Sequence, residues 1–538
     1  MQVPTYPLLL LLLPLSLLLL HSVAPVHGGH ALVFPGEFSH WLNMRIIIEE
    51  LVKKNHSVTI LVPDASPTVN YNNSRDAAKF NFLVFKVPYS KEEYLSPIEE
   101  FIHFSMHDPS MLQVAMKLID FMGRSLDFGR QQCDGILKNN QLMATLRDAA
   151  FDVVLLDSLV MCGDLVADVL GVPLVISLRL SLGSVFERHC GHAVFLPSYV
   201  PVAPVLYNDH MTFTERLINL VTYVASSVNK SKLIQAFILK SYSLFAVWTG
   251  TPTSVCETLG KADVWLIRTF WDIDTPRPTP PNFKHVGGLN CRPANQLPED
   301  LEAFVQSSGD AGVVVVSFGS MVPNLTMERT NVIATALGRI PQKVIWRHRG
   351  EAPSALAPNI KISDWIPQND LLGHPKTRAF VTHGGTNGLY EAVFHGVPLV
   401  GLPVFGDQSY NLNRMSHLGT AIVLDFNKVT AEELAEALHA IVNQPSYKTS
   451  MQRLSAVHRD QPVTPLNTAV FWLEFVMRHG GARHLRLASH NLNWFQYHSL
   501  DTGAVLLITL MTAAALCWVV IRCFLQKCRR RGGREKED

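Results

Sequence analysis

The strongest constraint on this chain is an uncharged, mostly apolar run from Thr502 to Ile521, followed at once by Arg522, Lys527 and Arg529 to Arg531. As a helix it would be about 30 Å long, the thickness of a bilayer's hydrocarbon core. Trp494, Phe495 and Tyr497 precede it as an aromatic belt, and the basic residues behind it mark the cytosolic side. A buried core helix is the bland alternative, but an apolar run of this length beside a basic chain end suits a globule poorly. The expected topology is single-pass type I, with a transmembrane helix at 502–521 and a cytosolic basic tail at 522–538. At the other end, Leu8 to Leu13 and Leu15 to Leu20 are too short to span and read as the core of a signal peptide over residues 1–28. The last residues, Arg534-Glu535-Lys536-Glu537-Asp538, resemble the retrieval signal of endoplasmic reticulum membrane proteins, which puts the body in that lumen.

Composition narrows what the body can be. With 48% apolar and 17% charged residues, disorder is excluded. The net charge of +1 hides a basic tail and a slightly acidic body, so the basic footprint of a nucleic-acid binder is missing. Cys133, Cys162, Cys190, Cys256 and Cys291 precede the tail without a C-x-x-C pair or a histidine at zinc spacing, and no metal is expected. Five is an odd number, so in an oxidising lumen at least one thiol stays free or pairs between chains. Their connectivity is not readable. Sequons at Asn55, Asn72, Asn229 and Asn324 are candidate N-glycosylation sites and fit a luminal body.

The body alternates short apolar runs with helical segments, the pattern of parallel sheets with crossover helices. Ala31 to Phe34, Val58 to Val62, Phe151 to Leu156 and Pro173 to Ile176 read as strands of a first Rossmann-like half, with a helix over Asn43 to Lys54. Four prolines between Pro276 and Pro281 exclude regular structure and read as a linker. Strands at Gly312 to Ser317, Lys343 to Trp346, Arg378 to Thr382 and Pro398 to Leu402 then build a second half. The expected domains are 29–282 and 283–445, two doubly wound α/β units facing a cleft, followed by helices and a membrane-proximal segment at 446–501.

Thr382-His383-Gly384-Gly385-Thr386-Asn387-Gly388 joins a strand to a helix, where close backbone approach and unpaired N–H groups suit a phosphate. Such turns also serve plain strand-to-helix packing. Upstream, Trp365 in Trp365-Ile366-Pro367-Gln368 offers an indole for stacking on a base; downstream, Asp407 and Gln408 follow the next strand and suit sugar hydroxyls. All three segments leave the carboxyl ends of strands, the ligand edge of an open α/β sheet.

The stretch from Trp365 to Gln408 resembles the signature of family 1 glycosyltransferases, the UDP-glucuronosyltransferases in particular. The likeness extends to Trp271-Asp272, Gly287-Gly288-Leu289-Asn290-Cys291 and Trp494-Phe495-Gln496-Tyr497-His498. It is weakest between about 65 and 245. It implies a GT-B fold in which the first half holds the acceptor and the second the UDP-sugar. Carried over residue by residue, it puts Trp365 on uracil beside Gln368, and Glu391 on the ribose. His383, Gly385 and Asn387 would meet the diphosphate, Asp407 and Gln408 the sugar, and Ser317, Gly319 and Ser320 would line the loop beneath.

Ser39-His40-Trp41 follows the first strand, and an imidazole there can take a proton from an acceptor hydroxyl. Asp157 ends a nearby strand and can orient that ring, or simply cap the next helix. The family's His-Asp dyad falls on His40 and Asp157. The implied reaction is inverting transfer of glucuronic acid from UDP-glucuronate to small lipophilic acceptors, a detoxifying conjugation that needs no cofactor beyond the sugar donor. Arg268 and Arg347 are candidates for the sugar carboxylate, or members of structural ion pairs. Asp272-Ile273-Asp274 matches the manganese motif of another transferase class, yet beside so many prolines it reads as a solvated turn. Transfer of glucose, galactose or N-acetylglucosamine to a lipid or small molecule, and a non-catalytic membrane-anchored binding protein, are the alternatives. Membrane lipid is an expected neighbour, and the resemblance also implies association into homo- or hetero-oligomers.

Overall fold

A computed structural model describes residues 28–178, 186–202, 206–226, 253–322 and 324–534. Residues 1–27 of the expected signal peptide, Asn229 and the last four residues lie outside them.

The first sheet has seven parallel strands: β1 (His30–Phe34), β2 (Ser57–Pro63), β3 (Asn81–Phe85), β4 (Val153–Asp157), β5 (Leu174–Leu178), β6 (Val264–Ile267) and β7 (Phe283–His285), in the order β3-β2-β1-β4-β5-β6-β7. The second has six: β8 (Val313–Ser317), β9 (Lys343–Arg347), β10 (Ile360–Ser363), β11 (Thr377–Thr382), β12 (Leu399–Gly401) and β13 (Ala421–Val423), in the order β10-β9-β8-β11-β12-β13. Strands such as Val313-Val314-Val315-Val316 are fully buried, as parallel strands covered on both faces must be. In each sheet the strand order reverses beside the first strand, between β1 and β4 and between β8 and β11, and a crevice at such a reversal is where ligands bind.

Among the helices that position the site are α1 (Ser39–Lys53), α2 (Lys91–Ser105), α3 (Met111–Leu137), α4 (Thr386–His395), α5 (Gln408–His417), α6 (Pro445–Arg459) and α7 (Pro465–His479). Capping boxes start α2 at Ser90 with Glu93 and α3 at Ser110 with Gln113. In β1, period-two alternation sends Leu32 and Phe34 into one core layer and Ala31 and Val33 into the other. The second layer is completed by Met44, Ile47 and Ile48 of α1 and by Val470, Leu473 and Val476 of α7. Each of those larger side chains contributes about 1.5–3 kcal/mol by burial. The chain therefore returns to the first lobe after building the second.

The sheet pairing moves the boundary expected at 282/283. β7 hydrogen-bonds to β6, so Pro276 to Pro281 connect two strands of one sheet rather than two lobes. Prolines exclude a strand within the run but say nothing about which sheet the next residues join. The first crossing lies between β7 and the helix that begins at Glu299. The second lies between α6, whose Met451 and Leu454 pack in the second lobe, and α7. The segment expected at 446–501 is thus shared between lobes.

Both sheets belong to one compact unit ending at Leu485, and residues from Arg486 onward form another. In the latter, α8 (Leu500–Arg534) contains the expected transmembrane run, and Leu500–Lys527 is long and apolar enough to cross a membrane. Cys133 pairs with Cys162 and Cys190 with Cys256, so Cys291 is the odd thiol of the five.

Candidate active site

The register of the first sheet sets Phe34 of β1 opposite Leu156 of β4, so the loop into α1 and the end of β4 emerge side by side. His40, in the first turn of α1, places Nδ1 2.8 Å from Asp157 Oδ2. Asp157 Oδ1 accepts from the Leu159 N–H at 3.0 Å, so the carboxylate also braces the turn behind it. Asp157 is 2% exposed, and the His40 side chain 12%. A buried carboxylate on Nδ1 fixes the tautomer with its proton there and leaves the Nε2 lone pair as a proton acceptor.

Two features of the approach loop make this geometry attainable. A Cβ on Gly36 would stand 2.7 Å from His40 Cβ and 2.9 Å from Asp157 Cγ, so only glycine lets the pair meet. Glu37, unmarked by any motif, accepts from Ser66 Oγ (2.7 Å), the Thr68 N–H (3.1 Å) and the Thr68 hydroxyl. Thr68 Oγ1 in turn accepts from the Phe38 N–H at 2.9 Å, holding Phe38 at φ +55°. Burial pushes the Glu37 carboxyl up against those hydrogen bonds.

In the second lobe the register aligns Ser317 with both Arg347 and Thr382, and Thr382 with Gly401, so four strands end level. Gly319 turns the loop after β8 at φ +77°, and the His383 ring lies over it and over Gly385 so closely that a Cβ on either would overlap the ring. Ser317 Oγ accepts from the Gly319 N–H at 3.4 Å. Gly319 and Ser320 line a concavity with Arg347, His348 and Arg349. Burial, then the neighbouring Arg349, weakens the hold of Arg347 on its proton, so an anion would be welcome there. Arg268 is elsewhere. It is 3% exposed at the end of β6, close enough to Cys291 for its charge to act on that thiol.

Gly385 precedes α4 without a side-chain cap, leaving backbone N–H groups of the first turn for a ligand. Trp365 is 65% exposed, an unusual state for an indole and one that suits a stacking platform. Below it Gln368 Nε2 donates to Glu391 Oε2 (2.6 Å), and Asn290 Nδ2 donates to Glu391 Oε1 (3.1 Å). Burial pushes Glu391 up to about 7. Asp407 Oδ2 accepts from Thr386 Oγ1 and Asn411 Nδ2, both at 3.1 Å. Gln408 is partly committed elsewhere: its Oε1 accepts from the Val404 and Phe405 N–H groups and shapes the loop, which leaves Nε2 as its group for a ligand.

The lobes are joined by contacts that no local pattern announced. Tyr390 OH accepts from the Phe270 N–H at 2.8 Å, and Asn43 Nδ2 donates to Asn387 Oδ1 at 2.9 Å. Asp272 and Asp274 correct the solvated-turn expectation. The Asp272 carboxylate is buried against His458, and Asp274 accepts from Thr269 Oγ1 and Arg277 Nη1, both at 3.0 Å. Tyr410 OH, from α5 in the second lobe, adds a 3.3 Å bond to Asp274. Proline content suggested solvent, but Thr269 and Arg277 close the turn locally while His458 and Tyr410 reach it from far along the chain. Among the described residues, no group of three His, Cys, Asp or Glu side chains is arranged to hold a metal ion.

Residues 29–536 match the family described as UDP-glucoronosyl and UDP-glucosyl transferase. The chain is 49% identical over 524 residues to UDP-glucuronosyltransferase 2A2 of Homo sapiens, covering 95% of each chain. It is 47% identical over 518 residues to UDP-glucuronosyltransferase 2A1 of Mus musculus, covering 95% of this chain and 96% of that one. Among solved structures, the calicheamicin glycosyltransferase CalG4 superposes with a TM-score of 0.56 at 18% identity, over 84% of this chain and 99% of its own. The glycotransferase of kitacinnamycin gives 0.55 at 18% identity, with the same coverage. These two share the GT-B fold.

Proposed function

The chain belongs to the UDP-glucuronosyl and UDP-glucosyl transferase family, and from that premise we propose how its residues divide the transfer of glucuronic acid from UDP-glucuronate. His40 Nε2 takes the proton of an acceptor hydroxyl. The freed oxygen bonds to C1 of the sugar as the C1–O bond to the diphosphate breaks on the opposite face, giving a β-glucuronide. Asp157 stabilises the imidazolium that forms, a base contribution worth about 10² to 10⁴ in rate. The observation that carries this reading is the Nδ1–Oδ2 pairing at 2.8 Å, which presents Nε2 as the acceptor.

The departing UDP leaves with its electron pair on the β-phosphate oxygen. Its charge falls to the N-terminus of α4 and the loop of Ser317, Gly319 and Ser320, with His383 and Asn387 beside them. Arg347, on the open concavity, is better placed for the donor's negative charge than the enclosed Arg268. Trp365 and Gln368 take the uracil, Glu391 the ribose, and Asp407 with Nε2 of Gln408 the sugar. This division uses no metal.

Glu391 gives the reading a pH signature. Ribose hydroxyls donate to the ionised carboxylate, so nucleotide binding releases a proton from a group held near 7. UDP affinity should therefore fall by up to about tenfold per unit as pH drops below 7 and level off above it. Titrated by UDP inhibition, Glu391→Gln should flatten that dependence; an unchanged slope would remove Glu391 from the ribose.

A lipophilic acceptor is supported by Tyr89, Tyr94 and Phe128, whose rings pack within 6 Å of one another. Burial, then the charge of Glu37, pushes the Tyr94 phenol up, with Asp157 adding to it, so this cluster lies within the electrostatic reach of the dyad. Two disulfides and the exposed sequons at Asn55 and Asn72 support a luminal body; the Asn324 side chain faces Gly350. Self-association and membrane lipid remain part of the reading. Microsomes bearing the protein, given UDP-glucuronate, UDP-glucose, UDP-galactose or UDP-N-acetylglucosamine and a phenol panel, should yield β-glucuronides. Preferential use of another sugar would overturn the donor assignment.

A further inference from the structure

We propose that Asn43 is a positioning residue: by holding the side-chain carbonyl of Asn387, it turns that residue's amide N–H groups toward the donor's diphosphate and ties donor binding to the helix that carries the base. The proposal rests on the proposed function, in which Asn387 meets the diphosphate.

Asn43 is on α1, one turn beyond His40, at a spacing that places the two side chains on neighbouring parts of the helix surface. It is 1% exposed and belongs to a stretch of α1 whose other buried members are Trp41, Met44, Ile47, Ile48 and Leu51. An amide in such surroundings is costly unless its groups are bonded, and a leucine would fill the space at lower cost. Only one half of this amide is satisfied. Nδ2 donates to Asn387 Oδ1 at 2.9 Å, whereas Oδ1 is buried without a hydrogen-bond partner among the described residues. A half-satisfied buried amide is poor as a stabilising device, so its use lies in the direction it imposes on its partner.

That direction is specific. A primary amide is planar, with its carbonyl and its N–H groups on opposite sides. Once Asn43 occupies Asn387 Oδ1, the Asn387 N–H groups must face away from α1. Asn387 is in the first turn of α4, next to Gly385 and His383, where an arriving phosphate needs donors and would be repelled by a carbonyl. The Asn387 main-chain carbonyl accepts from Asn290 Nδ2 at 3.3 Å, which fixes the residue from a second side. Asn43 and His40 share one rigid helix. Any donor that favours the Asn43–Asn387 bond therefore also favours the lobe arrangement in which His40 is at its station, and the coupling must be reciprocal.

The test is a double-mutant cycle on the full-length protein in microsomes, reading the KM for UDP-glucuronate, inhibition by UDP, and kcat. Asn43→Ala removes the restraint and should raise the donor KM a few fold. Asn43→Asp keeps the shape but offers only acceptors, so Asn387 must reverse its amide and turn its carbonyl to the phosphates. The donor KM and the UDP inhibition constant should then rise by about 10- to 100-fold, the worth of a hydrogen bond to a charged group. In an Asn387→Ala background, Asn43→Asp should add almost nothing. Equal effects of the two Asn43 variants, or an Asn43→Asp effect that survives in that background, would overturn the coupling while leaving Asn387 on the diphosphate. An Asn387→Ala variant with the wild-type donor KM would overturn both. If Asn43→Asp fails to accumulate as folded protein, the cycle of Asn43→Ala with Asn387→Ala decides: sub-additive losses support the coupling and additive ones overturn it.

Discussion

Replacing His40 with alanine is expected to lower kcat by about 10² to 10⁴ while the inhibition constant of UDP stays near its wild-type value. The nucleotide's proposed ligands all come from the second lobe, whereas His40 is held from the first by Asp157 at 2.8 Å. Asp157→Asn should approach the same loss, because an amide facing Nδ1 stabilises the wrong tautomer and leaves a proton on Nε2 where a lone pair is needed. Both variants keep the fold's apolar layers intact, so the protein should stay folded at assay temperature, with His40→Ala unfolding at a somewhat lower temperature because it takes the ring from a buried carboxylate. Wild-type turnover by His40→Ala, measured with UDP-glucuronate and a phenol, would remove the base from the mechanism.

A comparable loss is expected from Gly36→Ala, which takes away no reactive group. The added methyl would stand 2.7 Å from His40 Cβ and 2.9 Å from Asp157 Cγ, and neither atom is the end of a flexible chain. Relief requires the loop or α1 to shift, and a displacement of about 1 Å at a catalytic group costs about 10² in rate. The loss should appear in kcat, with UDP inhibition unchanged. Full activity in this variant would mean that the dyad tolerates a wider separation than the structure shows.

Much of this arrangement was legible because parallel strands are long apolar runs with clear ends. Ala31 to Phe34, Gly312 to Ser317 and Arg378 to Thr382 read correctly to within a residue or so of β1, β8 and β11, and the chemistry-bearing segments follow those ends. Among the three-residue strands, β12 was read from the apolar stretch Pro398 to Leu402, whereas β7 and β13 were not. Three residues are too few for any period to declare itself, and β7 carried the lobe boundary with it. The helix α3 went unread despite the Ser110–Gln113 capping box that marks its start. Side-chain roles divided in the same way. His40, Asp157 and Trp365 stand next to strand ends and can be suspected from sequence, whereas Glu37, Asn43 and Tyr390 matter through partners 29 to 344 positions away. The aspartates at 272 and 274 show the converse: the neighbouring prolines suggested exposure, whereas both carboxylates are buried, against His458 and Tyr410 of the second lobe.

The polypeptide passes between its lobes twice, after β7 and again between α6 and α7. Bodies joined by one tether can swivel about every axis. Two tethers act like the paired pins of a door, leaving one favoured rotation about the line that joins them. Admission of nucleotide and escape of product should then retrace a common arc, and sideways slippage between imidazole and anomeric carbon is resisted by covalent connectivity before any substrate arrives.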